Sequence, residues 1–132
     1  MPQVGIVLVS HSVRLAEGAA DLAAQGSGGI VTVAAAGGTD DGGLGTSAAK
    51  VERAVRHADG GAGVLVLADL GSSVLTVRAL LEEPGALPGA TVILADAPFV
   101  EGAVAATVTA AAGADLTAVA KAAEEAWHAR QL

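Results

Sequence analysis

Three groups of residues in this chain could do chemistry together: the turn Ser10-His11-Ser12, the carboxylate of Asp69, and the glycine-rich segment from Gly37 to Ser47. An imidazole beside an anion site can attack phosphorus through one ring nitrogen, so His11 reads as a phosphoryl-accepting histidine. A carboxylate that accepts a hydrogen bond from Nδ1–H would fix the tautomer, leave Nε2 unprotonated and stabilise the positive character of the phosphorylated ring. Asp69 is the candidate for that role. Each has a plainer alternative: His11 as a polar neighbour of a helix N-cap, and Asp69 as the cap of a helix beginning near Ser72. The Gly37 to Ser47 segment holds five glycines just before a helix. Backbone N–H groups there can approach an oxyanion closely, with the N-cap hydroxyl of Thr46 or Ser47 on the same face. The segment is not a P-loop, because the Gly-Lys-Ser/Thr ending is absent. It is not a dinucleotide fingerprint either, because the glycine spacing is wrong and the loop follows the second strand. A flexible surface loop is the alternative here.

The elements that must position these groups alternate along the chain. Val4 to Val9 is a nearly continuous apolar run ending in Ser-His-Ser, the pattern of a parallel strand buried on both faces. Further strands are expected at Ile30 to Ala35, Gly63 to Ala68 and Thr91 to Leu94. Helices are expected at Val13 to Gln25, Thr46 to Ala58, Ser73 to Leu81, Val100 to Ala112 and Leu116 to Arg130. This alternation predicts an α/β fold, a doubly wound parallel sheet of about four strands in the order 2-1-3-4 with helices on both faces. Ligands of such sheets bind at the carboxyl ends of the strands, where helix N-termini point. The polar residues gather on that rim: Ser10, His11 and Ser12 after the first strand, Thr39 to Ser47 after the second, Asp69 to Ser73 after the third, Asp96 after the fourth. The turns Gly26 to Gly29, His57 to Gly61 and Glu82 to Gly85 fall on the opposite edge. In the last helix, Leu116, Val119, Ala120, Ala123 and Trp127 fall at helical spacing behind Asp115, an expected N-cap. Trp127 then reads as a packing anchor on that stripe.

Composition narrows the function classes. The 132 residues suit one domain. Of the 52% apolar residues almost half are Ala, and aromatics are only 2% with no Tyr, so platforms for stacking bases or flavin rings are missing. Seven Lys and Arg against fourteen Asp and Glu give a net charge of -7, which argues against nucleic-acid binding and suits a basic protein partner or simple solvation. The absence of Cys excludes disulfides, thiolate catalysis and a thiolate zinc site. Dispersed His11, His57 and His128 argue against a metal site. No segment reaches the roughly 20 apolar residues of a membrane span, and no basic leader region is evident, so the expectation is a soluble cytoplasmic protein.

Four blocks carry a resemblance to a known family: Val-Ser-His-Ser-Val-Arg-Leu-Ala-Glu-Gly (9 to 18), Ala-Gly-Gly-Thr-Asp-Asp (36 to 41) with Leu-Gly-Thr-Ser (44 to 47), Ala-Asp-Leu-Gly-Ser-Ser (68 to 73) and Ala-Pro-Phe-Val-Glu-Gly (97 to 102). In order and spacing they resemble the DhaM family, the phosphotransferase subunits of dihydroxyacetone kinase, which are similar to the EIIA component of the mannose-type sugar phosphotransferase system. The resemblance runs from Val4 to about Val119. It implies a doubly wound homodimer and a relay from phosphoenolpyruvate through enzyme I and HPr to a histidine. From there the phosphoryl group passes to ADP held on DhaL, which serves dihydroxyacetone on DhaK. The matching acceptor is His11, Asp69 matches the acidic residue near it, and the segments around Thr39, Thr46 and Ser72 match the surrounding rim. Ser12, Thr39, Thr46 and Ser72 are therefore the expected phosphate-binding residues.

The resulting expectation is a single EIIA-like phosphocarrier domain over residues 1–132, a phosphotransferase component without metal or cofactor, whose donor HPr is a separate protein. Ser47 and Ser73 are assigned no part in the transfer, and Asp40 and Asp41, which would repel a phosphoryl group, read as caps, as contacts for a partner's basic surface or as solvent-facing acids. Two rivals remain. A histidine phosphatase or mutase would share the nucleophile but normally surrounds phosphate with several arginines, and only Arg14 is a basic candidate near the rim. A flavodoxin-like nucleotide or flavin module is disfavoured by the missing aromatics.

Overall fold

The structure is a computed structural model that describes residues 2–87 and 89–129. Its elements are β1 (Gly5–Ser10), α1 (Val13–Gln25), β2 (Val33–Gly37), α2 (Ala48–Ala58), β3 (Val64–Ala68), α3 (Gly71–Glu82), β4 (Val92–Leu94), α4 (Phe99–Ala111) and α5 (Leu116–Glu125), with a final 3₁₀ turn at Ala126–His128. The four strands form one parallel sheet in the order β2-β1-β3-β4, as the sequence predicts.

The central strands explain their own composition. Side chains alternate between the faces of a strand, so an unbroken apolar run is needed where both faces are covered. Ile6 and Leu8 of β1, with Leu65 and Leu67 of β3, pack under α1, α4 and α5. Val7, Val9, Val64 and Val66 point the other way, onto Val51 and Val55 of α2 and Val77 and Leu80 of α3. Each such side chain, taken fully from water, contributes roughly 1.5–3 kcal/mol. Alanine dominates α1, α4 and α5, with Ala19, Ala23, Ala106, Ala110 and Ala123 buried against the sheet layer. Small side chains bring these helices close. At Gly102 of α4 a Cβ would lie 3.0 Å from Leu67 Cδ2 and 2.9 Å from Ala97 Cβ. At Gly5 it would lie 2.1 Å from the carbonyl oxygen of Ala58, so the end of α2 rests on the backbone of β1 only because residue 5 has no side chain.

Three boundaries differ from expectation in an informative way. β2 begins at Val33 rather than Ile30, because the turn through Gly28 (φ 62°) and Gly29 (φ 88°) leaves Ile30 57% exposed before pairing with β1 begins. It ends at Gly37, paired with Ser10, so both strands deliver their last residues to the same rim. α3 starts at Gly71, two residues before the expected Ser73. The helix expected to run to Arg130 ends at Glu125 and tightens into the 3₁₀ turn; Arg130 itself lies outside the described residues. Trp127 is consequently not the packing anchor that its spacing suggests. It is 58% exposed, and its indole N–H donates to the carbonyl of Asp96 at 3.0 Å, which pins the turn to the end of the sheet. The change from 3.6 to about three residues per turn rotates it off the buried stripe of Leu116, Val119 and Ala123. Asp115 caps α5 as expected, accepting from Ala118 N–H at 2.9 Å. Among the described residues no helix is long and apolar enough to cross a membrane.

Candidate active site

The carboxyl ends of β1, β2 and β3 converge on His11. Its side chain is 24% exposed, and its Nδ1 lies 3.1 Å from Asp69 Oδ1. The two residues are adjacent because β1 and β3 are neighbours: Val9 pairs with Ala68, and Asp69 N–H donates to the Val9 carbonyl at 3.1 Å. A two-residue overshoot on β1 and a one-residue overshoot on β3 thus bring ring and carboxylate together.

Asp69 is held by more groups than an orienting partner needs. Its Oδ1 accepts from His11 Nδ1, from Leu70 N–H at 2.7 Å and from the Ser73 hydroxyl at 2.9 Å. Its Oδ2 accepts from the Ser10 hydroxyl at 2.7 Å and from His11 N–H at 3.2 Å. Burial by itself raises a carboxyl pKa, but the hydrogen bonds from Ser10, His11, Leu70 and Ser73 outweigh it and hold Asp69 down at about 2. The group is a carboxylate at any physiological pH. A ring nitrogen facing it therefore carries the proton, which leaves Nε2 with a free lone pair. Asp69 does not cap α3: the N-cap is Leu70, without a side-chain cap bond.

Nε2 points to the open side, where the Ser72 hydroxyl contacts it. Ser72 stands in the first turn of α3. Ser73 N–H and Val74 N–H both turn back to the Leu70 carbonyl, while those of Gly71 and Ser72 have no protein acceptor among the described residues. These two amides, the positive end of the helix and the Ser72 hydroxyl make an anion-binding corner beside Nε2.

The glycine segment behaves differently from the expected cradle. Most of its glycine amides are already used: Gly38 N–H donates to the Ser10 carbonyl, Thr39 to Gly43, Gly42 to Thr39, and Gly45 to the His11 carbonyl at 2.9 Å. Gly43 N–H is taken by the side chains of Thr39 and Asp41. The loop is a folded turn strapped to the backbone on both sides of His11, and a strap does not offer those amides to an oxyanion. The hydroxyls of the other expected phosphate ligands, Ser12, Thr39 and Thr46, also have partners within the protein, although Ser12 only accepts and keeps its proton. Ser12 Oγ caps α1 by accepting from Leu15 N–H, the Thr39 hydroxyl donates to Asp41, and Thr46 Oγ1 lies 3.0 Å from Ser73 Oγ. Only Ser72 faces the reactive nitrogen. Ser47 caps α2 through Lys50 N–H and donates to Asp40, while Asp41, lowered chiefly by the Thr39 hydroxyl and also by Gly43 N–H, closes the turn. These acids thus have structural partners in the loop.

Sequence reasoning places Ser10 and Ser73 on the rim but gives their hydroxyls no role; both are wholly buried. Ser10 donates to Asp69 and accepts from Ser12 N–H at 3.0 Å. A hydroxyl at the last position of a strand with both faces covered is the signal that could have found it, since a buried hydroxyl needs partners. His57 is exposed in the last turn of α2, and His128 lies in the terminal 3₁₀ turn; among the described residues neither makes a hydrogen bond to His11 or Asp69. Among the described residues no group of His, Asp and Glu is arranged to hold a metal ion.

Comparison with known proteins bears on the family and the fold. The EIIA-man family model, described as PTS system fructose IIA component, matches residues 5–120. The phosphoryl donor subunit DhaM of the PEP-dependent dihydroxyacetone kinase of Escherichia coli strain K12 is 43% identical over 119 residues, 88% of this chain and 25% of that one. Its counterpart in Klebsiella michiganensis is 39% identical over 134 residues, 98% of this chain and 28% of the relative, so this chain spans about a quarter of the length of both. In Listeria innocua the phosphoryl donor subunit DhaM of PEP-dependent dihydroxyacetone kinase 2 is 36% identical over 107 residues, 80% of this chain and 84% of that one. A crystal structure of a protein of unknown function superposes with a TM-score of 0.75 at 35% identity, covering 92% of this chain and 93% of the other. A sigma-54 interaction domain protein from Enterococcus faecalis, at TM-score 0.64 and 19% identity over 90% of this chain and 86% of its own, shares the fold.

Proposed function

Because the chain belongs to the EIIA-man family, the PTS system fructose IIA components, we propose that it is a phosphohistidine carrier with His11 Nε2 as its acceptor atom. The observation that carries this reading is the pairing of His11 Nδ1 with the strongly held Asp69 carboxylate, which leaves Nε2 as the outward nucleophile beside the N-terminus of α3. The Nε2 lone pair forms a bond to the phosphorus of phospho-HPr as the donor's bond to phosphorus breaks. The ring then has a positive character, which Asp69 stabilises. Ser72 swings from Nε2, and its hydroxyl with the amides of Gly71 and Ser72 holds the phosphoryl oxygens. In-line positioning and neutralised oxygens are what such transfers require, so this corner suffices without a metal ion.

In the return step an oxygen of ADP bound on DhaL attacks the phosphorus, the nitrogen–phosphorus bond breaks and Nε2 recovers its lone pair. DhaL then serves dihydroxyacetone on DhaK. The relatives named as phosphoryl donor subunits support this acceptor, and the chain's net charge of -7 suits a basic partner surface. On this reading residues 1–132 act as one phosphocarrier domain, a phosphotransferase component working in the cytoplasm as a homodimer that meets HPr and DhaL in turn. A phosphatase-type site has less support, since Arg14 is exposed on α1 and makes no ion pair with the site. The test is transfer in both directions. The chain is charged with phosphoenolpyruvate, enzyme I and HPr, freed of them, and mixed with ADP-loaded DhaL. The appearance of ATP on DhaL supports the assignment. A charged chain that passes phosphate to water alone would refute the acceptor.

A further inference from the structure

The Ser73 hydroxyl is wholly buried and lies within hydrogen-bond reach of three groups: Asp69 Oδ1 at 2.9 Å, Thr46 Oγ1 at 3.0 Å and His11 Nδ1 at 3.2 Å. A hydroxyl has one proton and two lone pairs. Asp69 already receives four other donors and can only accept, so Ser73 spends its proton there. Its lone pairs are left for the Thr46 O–H and for a share of the His11 Nδ1–H. The bond directions are thereby fixed along a chain from Thr46 to Ser73 to Asp69, with the imidazole N–H lodged between two acceptors. If the ring were in the other tautomer, Nδ1 would bring a lone pair against the Asp69 carboxylate while the Ser73 proton was already spent on it.

Thr46 gives this chain a second end. It stands near the end of the glycine loop, forms a bridge with Gly38, and sits one residue after Gly45, whose N–H holds the His11 carbonyl. The loop thus grips His11 twice, once by its backbone and once through Thr46 and Ser73 by its ring. We propose that Ser73 and Thr46 are positioning residues that hold His11 in its Nδ1–H tautomer and make that tautomer depend on the seating of the Gly37 to Ser47 loop. The inference rests on the reading of His11 as the acceptor. Through this link a partner that presses on the loop acts on the nucleophile 35 residues away in sequence, Thr46 lying in the loop and His11 at the end of β1.

The test reads the tautomer directly, on the uncharged chain, by ¹⁵N–¹H NMR of the His11 ring, with no phosphoryl donor present. Ser73→Ala should lower the ratio of Nδ1–H to Nε2–H tautomer about tenfold, the size expected for one hydrogen bond in a charged network. Thr46→Val should lower it in the same direction by a smaller factor, Thr46→Ser should restore it, and adding Thr46→Val to Ser73→Ala should change nothing further, since the first change has cut the chain. Initial rates of charging by phospho-HPr should fall in the same order. Folded Ser73→Ala or Thr46→Val variants with an unaltered ratio overturn the proposal. If burial makes Ser73→Ala unfold, the two Thr46 variants decide alone. Because the ring is read without transfer, a shifted ratio in a protein that never accepts phosphate would refute the carrier assignment and leave the positioning role standing.

Discussion

Replacing Asp69 by Asn removes a charge and almost no volume, and its consequences can be worked out donor by donor. The carboxylate accepts five hydrogen bonds, three on Oδ1 and two on Oδ2. An amide offers one accepting oxygen, and its NH₂ must face one of the two sets. With the NH₂ on the Oδ2 side it meets the His11 backbone N–H, and with the NH₂ on the Oδ1 side it meets Leu70 N–H. Neither backbone donor can reverse. Ser10 and Ser73 can rotate their hydroxyls, and the imidazole can exchange tautomers, so the ring is what yields. An Asn amide on the Oδ1 side therefore drives the proton to Nε2 and removes the nucleophile. The stability cost follows from linkage. A carboxyl held at about 2 against an ordinary value of 3.8 stabilises the fold by about 2 kcal/mol. The sign is that of a depressed acid: the stabilisation is complete above pH 3.8, is lost as pH falls from there through about 2, and is absent below. Urea titrations of both proteins should therefore differ by about 2 kcal/mol at pH 7, with the gap closing on acidification across that window. The charging rate of Asp69→Asn at neutral pH should fall by at least tenfold. A gap that stays constant down to pH 2, or a charging rate equal to that of the parent, would refute the reasoning.

Three further outcomes are expected. Gly5→Ala drives a methyl group into the Ala58 carbonyl, so α2 must lift from β1, at about 1–3 kcal/mol measured by denaturant titration; a neutral effect would mean that this contact is looser than the structure has it. Leu44→Glu, at an 84% exposed side chain on the tip of the glycine loop, should weaken binding to DhaL without changing stability, whereas Gly60→Glu on the opposite edge should leave binding intact; equal affinities of the two variants by calorimetry would place the docking surface elsewhere.

Much of the fold was legible because it is written in periodicities. Unbroken apolar runs mark β1 and β3, helical spacing and caps mark α1 and α5, and the βα alternation fixes a parallel sheet whose order the structure confirms. Where expectation missed, local hydrogen bonding had intervened. Trp127 left its stripe because the last turn tightens to 3₁₀ and its indole N–H found the Asp96 carbonyl, neither of which spacing encodes. The neighbourhood of His11 and Asp69 was legible from the sheet order alone. The state of the glycine loop was not: composition says that amides can approach an anion, but whether they are free depends on Gly38 and Gly45 meeting the carbonyls of Ser10 and His11, a tertiary matter. Ser73 escaped for a similar reason, since its role comes from a three-way contact between β1, the loop before α2 and the first turn of α3.

The central claim is that one nitrogen, His11 Nε2, takes the phosphoryl group. Intact mass measurement after incubation with phosphoenolpyruvate, enzyme I and HPr tests it most directly, on the parent chain and on His11→Ala, with two-dimensional NMR of the charged ring to name the nitrogen. The account predicts one acid-labile phosphoryl group on the parent, bonded to Nε2, and none on His11→Ala, although His57 and His128 remain. A phosphoryl group on His11→Ala, or one bonded to Nδ1 in the parent, would contradict it.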